Sequence, residues 1–182
     1  IHEVRDRRAA LSKRRVVVTG LGIVSPVGNS VQTAWDNILA GNSGIGPITN
    51  FDATDFPVRF AGEIRDFDAS EYISGKEARR MGDFIHYGIA AASQAIKDSG
   101  IEITAANATR AGMAIGSGIG GLRGIEEACQ AWLEGGPRKI SPFFIPGMIL
   151  NLATGNVSIL FGAKGPNLAT ATACATGTHC IG

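Results

Sequence analysis

The sequence has little of what would mark a disulfide-stapled, membrane-embedded or nucleic-acid-binding protein. Its 182 residues include three cysteines and a nearly even charge balance, with 17 basic against 16 acidic side chains. No apolar run approaches the ~20 residues that a transmembrane helix needs. A net charge of +1 excludes the broad basic surface that is typical of nucleic-acid binding. We therefore expect neither a nucleic-acid partner nor a membrane-spanning chain.

The cysteines are too few for a disulfide framework, and no Cys-x-x-Cys pair suggests a zinc site. This favours a reducing compartment, and we expect a bacterial cytoplasm, with an organelle as the alternative. We expect no metal and no cofactor. Cys129 lies in a predicted helix among apolar residues, and Cys180 follows Cys174 within two helical turns, so both are predicted to be packing residues.

Glycine is abundant, with 25 residues, many at the ends of predicted strands and the starts of predicted helices. Residues 1–12 are charged and have no apolar face, which indicates a tail: an added tag, an upstream extension or a trimmed targeting peptide. The remaining pattern of β, α, α, β, α, α, β indicates an α/β fold with a mixed sheet covered by helices. The predicted strands cover 14–24, 111–116 and 167–173, and the predicted helices cover 30–40, 74–99, a segment after Gly121 and a segment from near Pro146.

Two glycine patterns invite a dinucleotide-binding interpretation. GLGIVS at 20–25 follows a predicted strand, and GSGIGG at 116–121 matches G-x-G-x-x-G between a strand and a helix. A dinucleotide site also needs an acidic residue at the end of the next strand, about 20 residues on, and neither pattern has one. Close packing of helix on sheet is therefore the favoured role of these glycines, and an oxidoreductase is the alternative.

Cys174 is the candidate nucleophile, because a predicted strand of small residues turns into a helix there. The positive end of a helix dipole and its free backbone N–H groups favour a thiolate and can also bind a developing oxyanion. The alternative is an inert buried cysteine. None of His2, His86 and His179 is a convincing general base, since His179 is rotated away from Cys174 on the predicted helix.

A basic cluster of Lys76, Arg79 and Arg80 stands at the start of the helix predicted over 74–99. Cations are unfavourable at a helix N-terminus, which suggests an anionic partner. The alternative is a solvated helix face.

Five motifs in register give the sequence a specific resemblance over residues 13–182. It resembles the N-terminal half of the β-ketoacyl-acyl-carrier-protein synthase II family, of the thiolase-like superfamily. The motifs are RRVVVTGLG at 14–22, SPVG at 25–28, GSGIGG at 116–121, SPFF at 141–144 and TACATG at 172–177.

The resemblance implies a thiolase-like fold of two βαβαβαββ halves, of which this chain covers most of the first, and a homodimeric enzyme. It also implies fatty acid elongation by decarboxylative Claisen condensation of an acyl-carrier thioester with malonyl-carrier. Cys174 matches the acyl-accepting nucleophile of the family. Ile119 matches a residue at the gate of the acyl pocket, and Phe144 a wall of that pocket. Lys76, Arg79 and Arg80 match the patch that docks the acidic acyl carrier protein.

Two departures from the family pattern stand out. Cys180 occupies a position where the family commonly has Asn, which alters the hydrogen bonding after the nucleophile. The sequence also stops before the positions of the family's catalytic histidines, catalytic lysine and second oxyanion donor. We therefore expect the 182 residues alone not to condense substrates. A non-catalytic partner subunit of the same fold is a further alternative, against which the presence of Cys174 argues.

Overall fold

The computed structural model describes residues 15–182, so the predicted tail over 1–12 lies outside the described part. Short 3-10 turns link several of the helices, including Ala69–Glu71, Ala108–Arg110, Pro137–Lys139 and Ala173–Ala175. The helices are α1 Val31–Leu39, α2 Gly75–Ala78, α3 Asp83–Ser99, α4 Leu122–Gly135, α5 Phe144–Met148, α6 Asn151–Phe161 and α7 Thr176–Ile181. None of these helices, over the described range, has the length and apolarity needed to cross a bilayer.

The described strands form two small sheets. Strands β1 (Ile45–Pro47) and β2 (Phe60–Gly62) pair antiparallel, with Ile45 opposite Gly62. Strands β3 (Met113–Ala114) and β4 (Asn167–Leu168) pair in parallel. The strands predicted over 111–116 and 167–173 therefore exist, but each is shorter than predicted. The parallel pair matters most for function, because the chain leaves β4 toward Cys174.

The core lies where α3 packs on α6. Ile85 and Ile89 of α3 are fully buried, and they meet Ala153 and Val157 of α6 in one apolar cluster. Full burial of an aliphatic side chain of this size contributes about 1.5–3 kcal/mol. This contact fixes the position of α3, against which residues 20–23 also pack.

The strand predicted over 14–24 as buried on both faces is wrong for the described residues 15–24. That segment has no regular secondary structure and pairs with no described strand, and Val16 is 94% exposed. Its N–H groups instead bond side chains of α3, from Leu21 to Asp98 at 2.9 Å and from Ile23 to Gln94 at 3.2 Å. Residues 20–23 thus lie along α3, whereas the valines before them are exposed.

The single helix predicted over 74–99 is wrong, because the segment forms two helices, α2 and α3. The helical structure is interrupted before Gly82, whose N–H donates to the carbonyl of Gly147 at 3.1 Å. A Cβ at Gly82 would lie 2.6 Å from that carbonyl oxygen, so the close approach requires glycine. Arg79 is consequently the C-cap of α2, where a helix dipole favours cations, and does not lie in the first turn of a long helix.

The other predicted helices are confirmed with changes at their ends. Ser30 caps α1 by accepting a hydrogen bond from the Thr33 N–H, and α4 follows Gly121. The apolar segment near Pro146 contains two helices, α5 and α6, instead of one.

Candidate active site

Cys174 lies in the 3-10 turn Ala173–Ala175, directly before α7, and its side chain is exposed. Ala173 has φ of 49°, in the left-handed region that costs an L-residue about 1–2 kcal/mol. Such strained backbone persists only where the surrounding structure holds it. The sharp turn presents the thiol at the surface of the described residues.

The side chain of Thr176 stabilises this turn by hydrogen bonding to Thr172 and Ala173, the two residues before Cys174. Its side chain is buried, its hydroxyl donates to the carbonyl of Ala173 at 2.8 Å, and the N–H of Thr172 donates to the same hydroxyl at 2.9 Å. The residues on both sides of the strained position are thereby tied to one side chain. Sequence reasoning missed Thr176, although a threonine in the first turn of a helix is a recognisable capping signal.

The backbone N–H of Cys174 is free for a ligand. In this turn the N–H of Ala175 bonds the Thr172 carbonyl at 3.1 Å, and the N–H of Thr176 bonds the Ala173 carbonyl. The N–H of Cys174 has no acceptor among residues 15–182. A thiol with an unused N–H on the same residue can attack a carbonyl carbon and stabilise the oxyanion that forms.

The loop over 116–121 packs against the turn that carries Cys174. A Cβ on Gly116 would collide with the carbonyl of Thr170 and the methyl of Thr176, and a Cβ on Gly118 would lie 3.4 Å from the Ala173 carbonyl oxygen. These glycines therefore approach protein backbone and side chains closely. That arrangement agrees with the packing role and leaves no pyrophosphate cradle at Gly116.

Cys180 and His179 make side-chain contacts with threonines that precede Cys174, whereas Cys129 is exposed. The Cys180 sulfur lies 2.9 Å from the Thr170 hydroxyl, and Nδ1 of His179 lies 2.7 Å from the Thr172 hydroxyl. The packing role predicted for Cys129 is wrong for the described residues, because its side chain is exposed. The reason is that α4 has no buried residue in the described part.

A groove of about 530 Å³ lies between the basic cluster and the start of α5. Of the predicted docking residues it brings together Arg79 and Arg80, while Lys76 lies outside it. Phe144, the predicted pocket wall, also lines the groove. Ile119 does not, and it is 71% exposed beside the lining residues Gly120 and Gly121. Neither Cys174 nor its turn lines the groove.

The groove carries an excess of unpaired positive charge. Arg123 is paired with Glu127 at 2.9 Å and with Asp83 at 3.9 Å. Within the described range, no carboxylate lies within 4.0 Å of the other three cations, which are Arg79, Arg80 and Lys139. Sequence reasoning missed Lys139, although the Arg138–Lys139 pair after a Gly-Gly-Pro turn was a visible signal.

Comparisons with known proteins agree with this geometry. The family model described as the β-ketoacyl synthase N-terminal domain matches residues 13–182. The chain is 59% identical over 172 residues to a 3-oxoacyl-acyl-carrier-protein synthase 2 of Vibrio harveyi and 58% identical over 172 residues to one of Vibrio cholerae. It covers 41% and 42% of those relatives, while 94% of the chain is matched in each.

A solved β-ketoacyl synthase from Burkholderia phymatum has the same fold over most of the chain. The TM-score is 0.76 at 25% identity, covering 92% of this chain and 42% of that one. The predicted thiolase-like fold is thereby confirmed. The chain spans about two fifths of the length of these relatives, and it belongs to the β-ketoacyl synthase family, whose N-terminal domain it matches.

Proposed function

We propose that the complete protein elongates fatty acyl chains by decarboxylative Claisen condensation, with Cys174 as the nucleophile. The proposal concerns the complete protein, because the chain spans only 41% of its Vibrio harveyi relative. The relatives named above are 3-oxoacyl-acyl-carrier-protein synthases, and the proposed substrates are an acyl-carrier thioester and malonyl-carrier.

In the first half-reaction the Cys174 thiolate attacks the carbonyl carbon of the acyl-carrier thioester. The negative charge moves to the carbonyl oxygen, where the free N–H of Cys174 can stabilise it. The tetrahedral intermediate collapses, the bond to the carrier sulfur breaks, and the carrier leaves as a thiol after taking up a proton. The acyl group remains as a thioester on Cys174.

In the second half-reaction malonyl-carrier loses CO₂, and the electron pair of the broken bond becomes a carbanion stabilised by the adjacent thioester. That carbanion attacks the acyl-cysteine carbonyl carbon. The C–S bond to Cys174 breaks, and the thiolate leaves. The product is a 3-ketoacyl-carrier two carbons longer than the starting acyl chain.

The observation that carries this proposal is the presentation of Cys174. Its thiol is exposed on a turn with positive φ at Ala173, an unused backbone N–H lies on the same residue, and Thr176 braces the turn. A packing cysteine needs none of these features. A cysteine that must accept an acyl group from a large partner needs an exposed sulfur and an oxyanion donor.

We further propose that the basic cluster docks the acidic acyl carrier protein and that Ile119 and Phe144 form the gate and a wall of the acyl pocket. Lys76, Arg79 and Arg80 are all exposed, and a cluster of unpaired cations raises the association rate of an acidic partner. Phe144 is half-buried and lines the same groove as Arg79 and Arg80, which supports a pocket wall close to the docking cluster.

We also propose a homodimer in the bacterial cytoplasm. Many large apolar side chains are exposed in the chain by itself, among them Val16 at 94%, Ile159 at 81% and Ile181 at 90%. Soluble proteins seldom leave so much apolar surface uncovered, so the rest of the complete protein would cover part of it and a second subunit the remainder. Three free cysteines are consistent with a reducing compartment, and the matched relatives come from bacteria.

The homodimer is tested by light scattering of the complete protein. The measured mass should be twice that of one complete chain, and a monomer would refute the homodimer.

The test of the proposed function is to map the acylated residue. The protein is incubated with acyl-carrier, digested and analysed by mass spectrometry under conditions that preserve thioesters. We expect the acyl group on Cys174, and none on the Cys174→Ala variant. Cys129→Ala is the matched control, because Cys129 is also exposed and should not accept the acyl group. Acylation at Cys129, or none in the wild type, would refute the proposal.

A further inference from the structure

Arg80 is stacked on an aromatic ring next to the proposed pocket wall. Its guanidinium carbon lies 4.6 Å from the ring centroid of Phe143, within the range of a cation–π interaction. Arg80 is exposed, and Phe143 is 39% exposed. The guanidinium is therefore held by the ring while its outer side remains open to an anion.

The backbone next to Arg80 contacts α5, the helix that Phe143 caps. The N–H of Gly82 donates to the carbonyl of Gly147 at 3.1 Å, and a Cβ on Gly147 would lie 3.3 Å from the carbonyl oxygen of Arg80. The segment over 80–82 and helix α5 are thus joined by a side-chain stack at one end and by close backbone contact at the other.

Phe143 is in turn connected to the start of α5. The N–H of Gly147 donates to the Phe143 carbonyl at 2.8 Å, and Phe144 is the first residue of the helix. Phe143 is thus the N-cap of the short helix whose first residue is the proposed wall residue Phe144. The cation at position 80 and the wall residue at position 144 are separated by one aromatic ring and one peptide bond.

We propose that Arg80 is a positioning residue that couples docking of the acidic carrier to the shape of the acyl pocket, through its stack on Phe143. This inference rests on the proposed function. Before docking, the stack restrains Phe143 and with it Phe144. A carboxylate of the carrier that binds the open side of the guanidinium draws Arg80 away from the ring, so docking releases Phe143 and allows the wall to accommodate a longer chain.

The test measures chain selectivity without the carrier. Acyl transfer to Cys174 of the complete protein is followed with long-chain and medium-chain thioesters of N-acetylcysteamine, which cannot contact the docking cluster. Arg80→Met and Phe143→Leu should each raise the ratio of long-chain to medium-chain rates about two- to fivefold, the range expected for loss of one exposed cation–π contact. The double variant should show no more than the larger single effect.

Two further variants separate stacking from charge. Compared with Arg80→Met, Arg80→Lys should have a KM for acyl-carrier close to that of the wild type. Its chain selectivity should return only partly toward the wild-type ratio, since lysine keeps the charge and stacks less well. Arg138→Met is the matched control, as an exposed arginine outside the groove, and should leave the ratio unchanged.

An unchanged or lowered ratio in Arg80→Met, together with a raised KM for acyl-carrier, would overturn the coupling and leave Arg80 as a docking charge alone. Additive effects in the double variant would also overturn it. Absence of acyl transfer to Cys174 in the wild type would instead refute the proposed function, and the coupling with it.

Discussion

The hydroxyl of Thr176 donates to the carbonyl of Ala173, one residue before the candidate nucleophile, at 2.8 Å. The same hydroxyl accepts from the N–H of Thr172 at 2.9 Å. One buried side chain thereby closes the turn over 172–176 and holds Ala173 at its positive φ. The position of the Cys174 thiol depends on a residue that takes no part in the bond-making steps.

Replacing Thr176 by valine should slow acylation of Cys174 and destabilise the protein. Valine keeps the shape but removes the acceptor of the Thr172 N–H and one of the two donors to the Ala173 carbonyl, and each lost hydrogen bond costs about 0.5–1.5 kcal/mol. Thr176→Ser keeps the hydroxyl and is the matched control. Acylation rates and urea unfolding would check this, and wild-type acylation by Thr176→Val would show that the turn needs no brace.

Replacing Gly22 by alanine should destabilise the protein strongly. A Cβ there would collide with the backbone carbonyl of Ala91 in α3, the helix that carries the core residues Ile85 and Ile89. Overpacking of this kind typically costs about 1–3 kcal/mol. Gly155→Ala is the control, since Gly155 lies within α6 with open space around a Cβ, and it should be neutral or stabilising. Equal unfolding midpoints for the two variants would contradict the close packing.

Glu63 should contribute stability that is lost in acid. The backbone N–H and the hydroxyl of Thr49, with the N–H of Asn50, hydrogen-bond this carboxylate and hold its pKa below the ordinary value of 4.5. A carboxyl whose pKa is lowered by folding stabilises the folded state above its unfolded pKa, and that contribution disappears as pH falls through the folded value.

The Glu63→Gln variant should therefore be less stable than the wild type at neutral pH, and the difference should shrink below about pH 4.5. Glu126→Gln removes an exposed carboxylate and should show no such pH dependence. Thermal unfolding across the pH range is the measurement. A constant difference for Glu63→Gln at all pH values would contradict the assignment.

Lys139 should assist carrier docking. It lines the groove with Arg79 and Arg80, and no described carboxylate lies within 4.0 Å of it. Lys139→Met should raise the KM for acyl-carrier by about two- to tenfold and weaken its dependence on salt, because one steering charge is lost. Lys97→Met, an exposed lysine at the end of α3, is the control. Equal KM values for the two variants would exclude Lys139 from docking.

The sequence predicted the α/β class and the starts of α1 and α4, because local signals specify them. Ser30 caps α1 through its own side chain, and Gly121 precedes α4. The motif around Cys174 likewise predicted a turn into a helix, and the structure has that turn. These features depend on a few neighbouring residues and can be recognised without knowledge of the rest of the chain.

Features that depend on distant contacts were not predictable in this way. The break between α2 and α3 occurs because Gly82 meets the carbonyl of Gly147, more than sixty residues away. The valine run before Gly20 reads as a buried strand, yet its neighbours Leu21 and Ile23 bond side chains of α3. The stack of Arg80 on Phe143 also joins two separate segments, so neither residue alone signals it.

The central claim is that Cys174 carries the acyl group as a reaction intermediate, and a pulse–chase measurement tests it most directly. The complete protein is loaded from isotopically labelled acyl-carrier, freed of excess carrier and then mixed with malonyl-carrier. The account predicts that label on the Cys174 peptide disappears at the rate at which labelled 3-ketoacyl-carrier, two carbons longer, and CO₂ appear. Label that stays on Cys174 while product forms would contradict it.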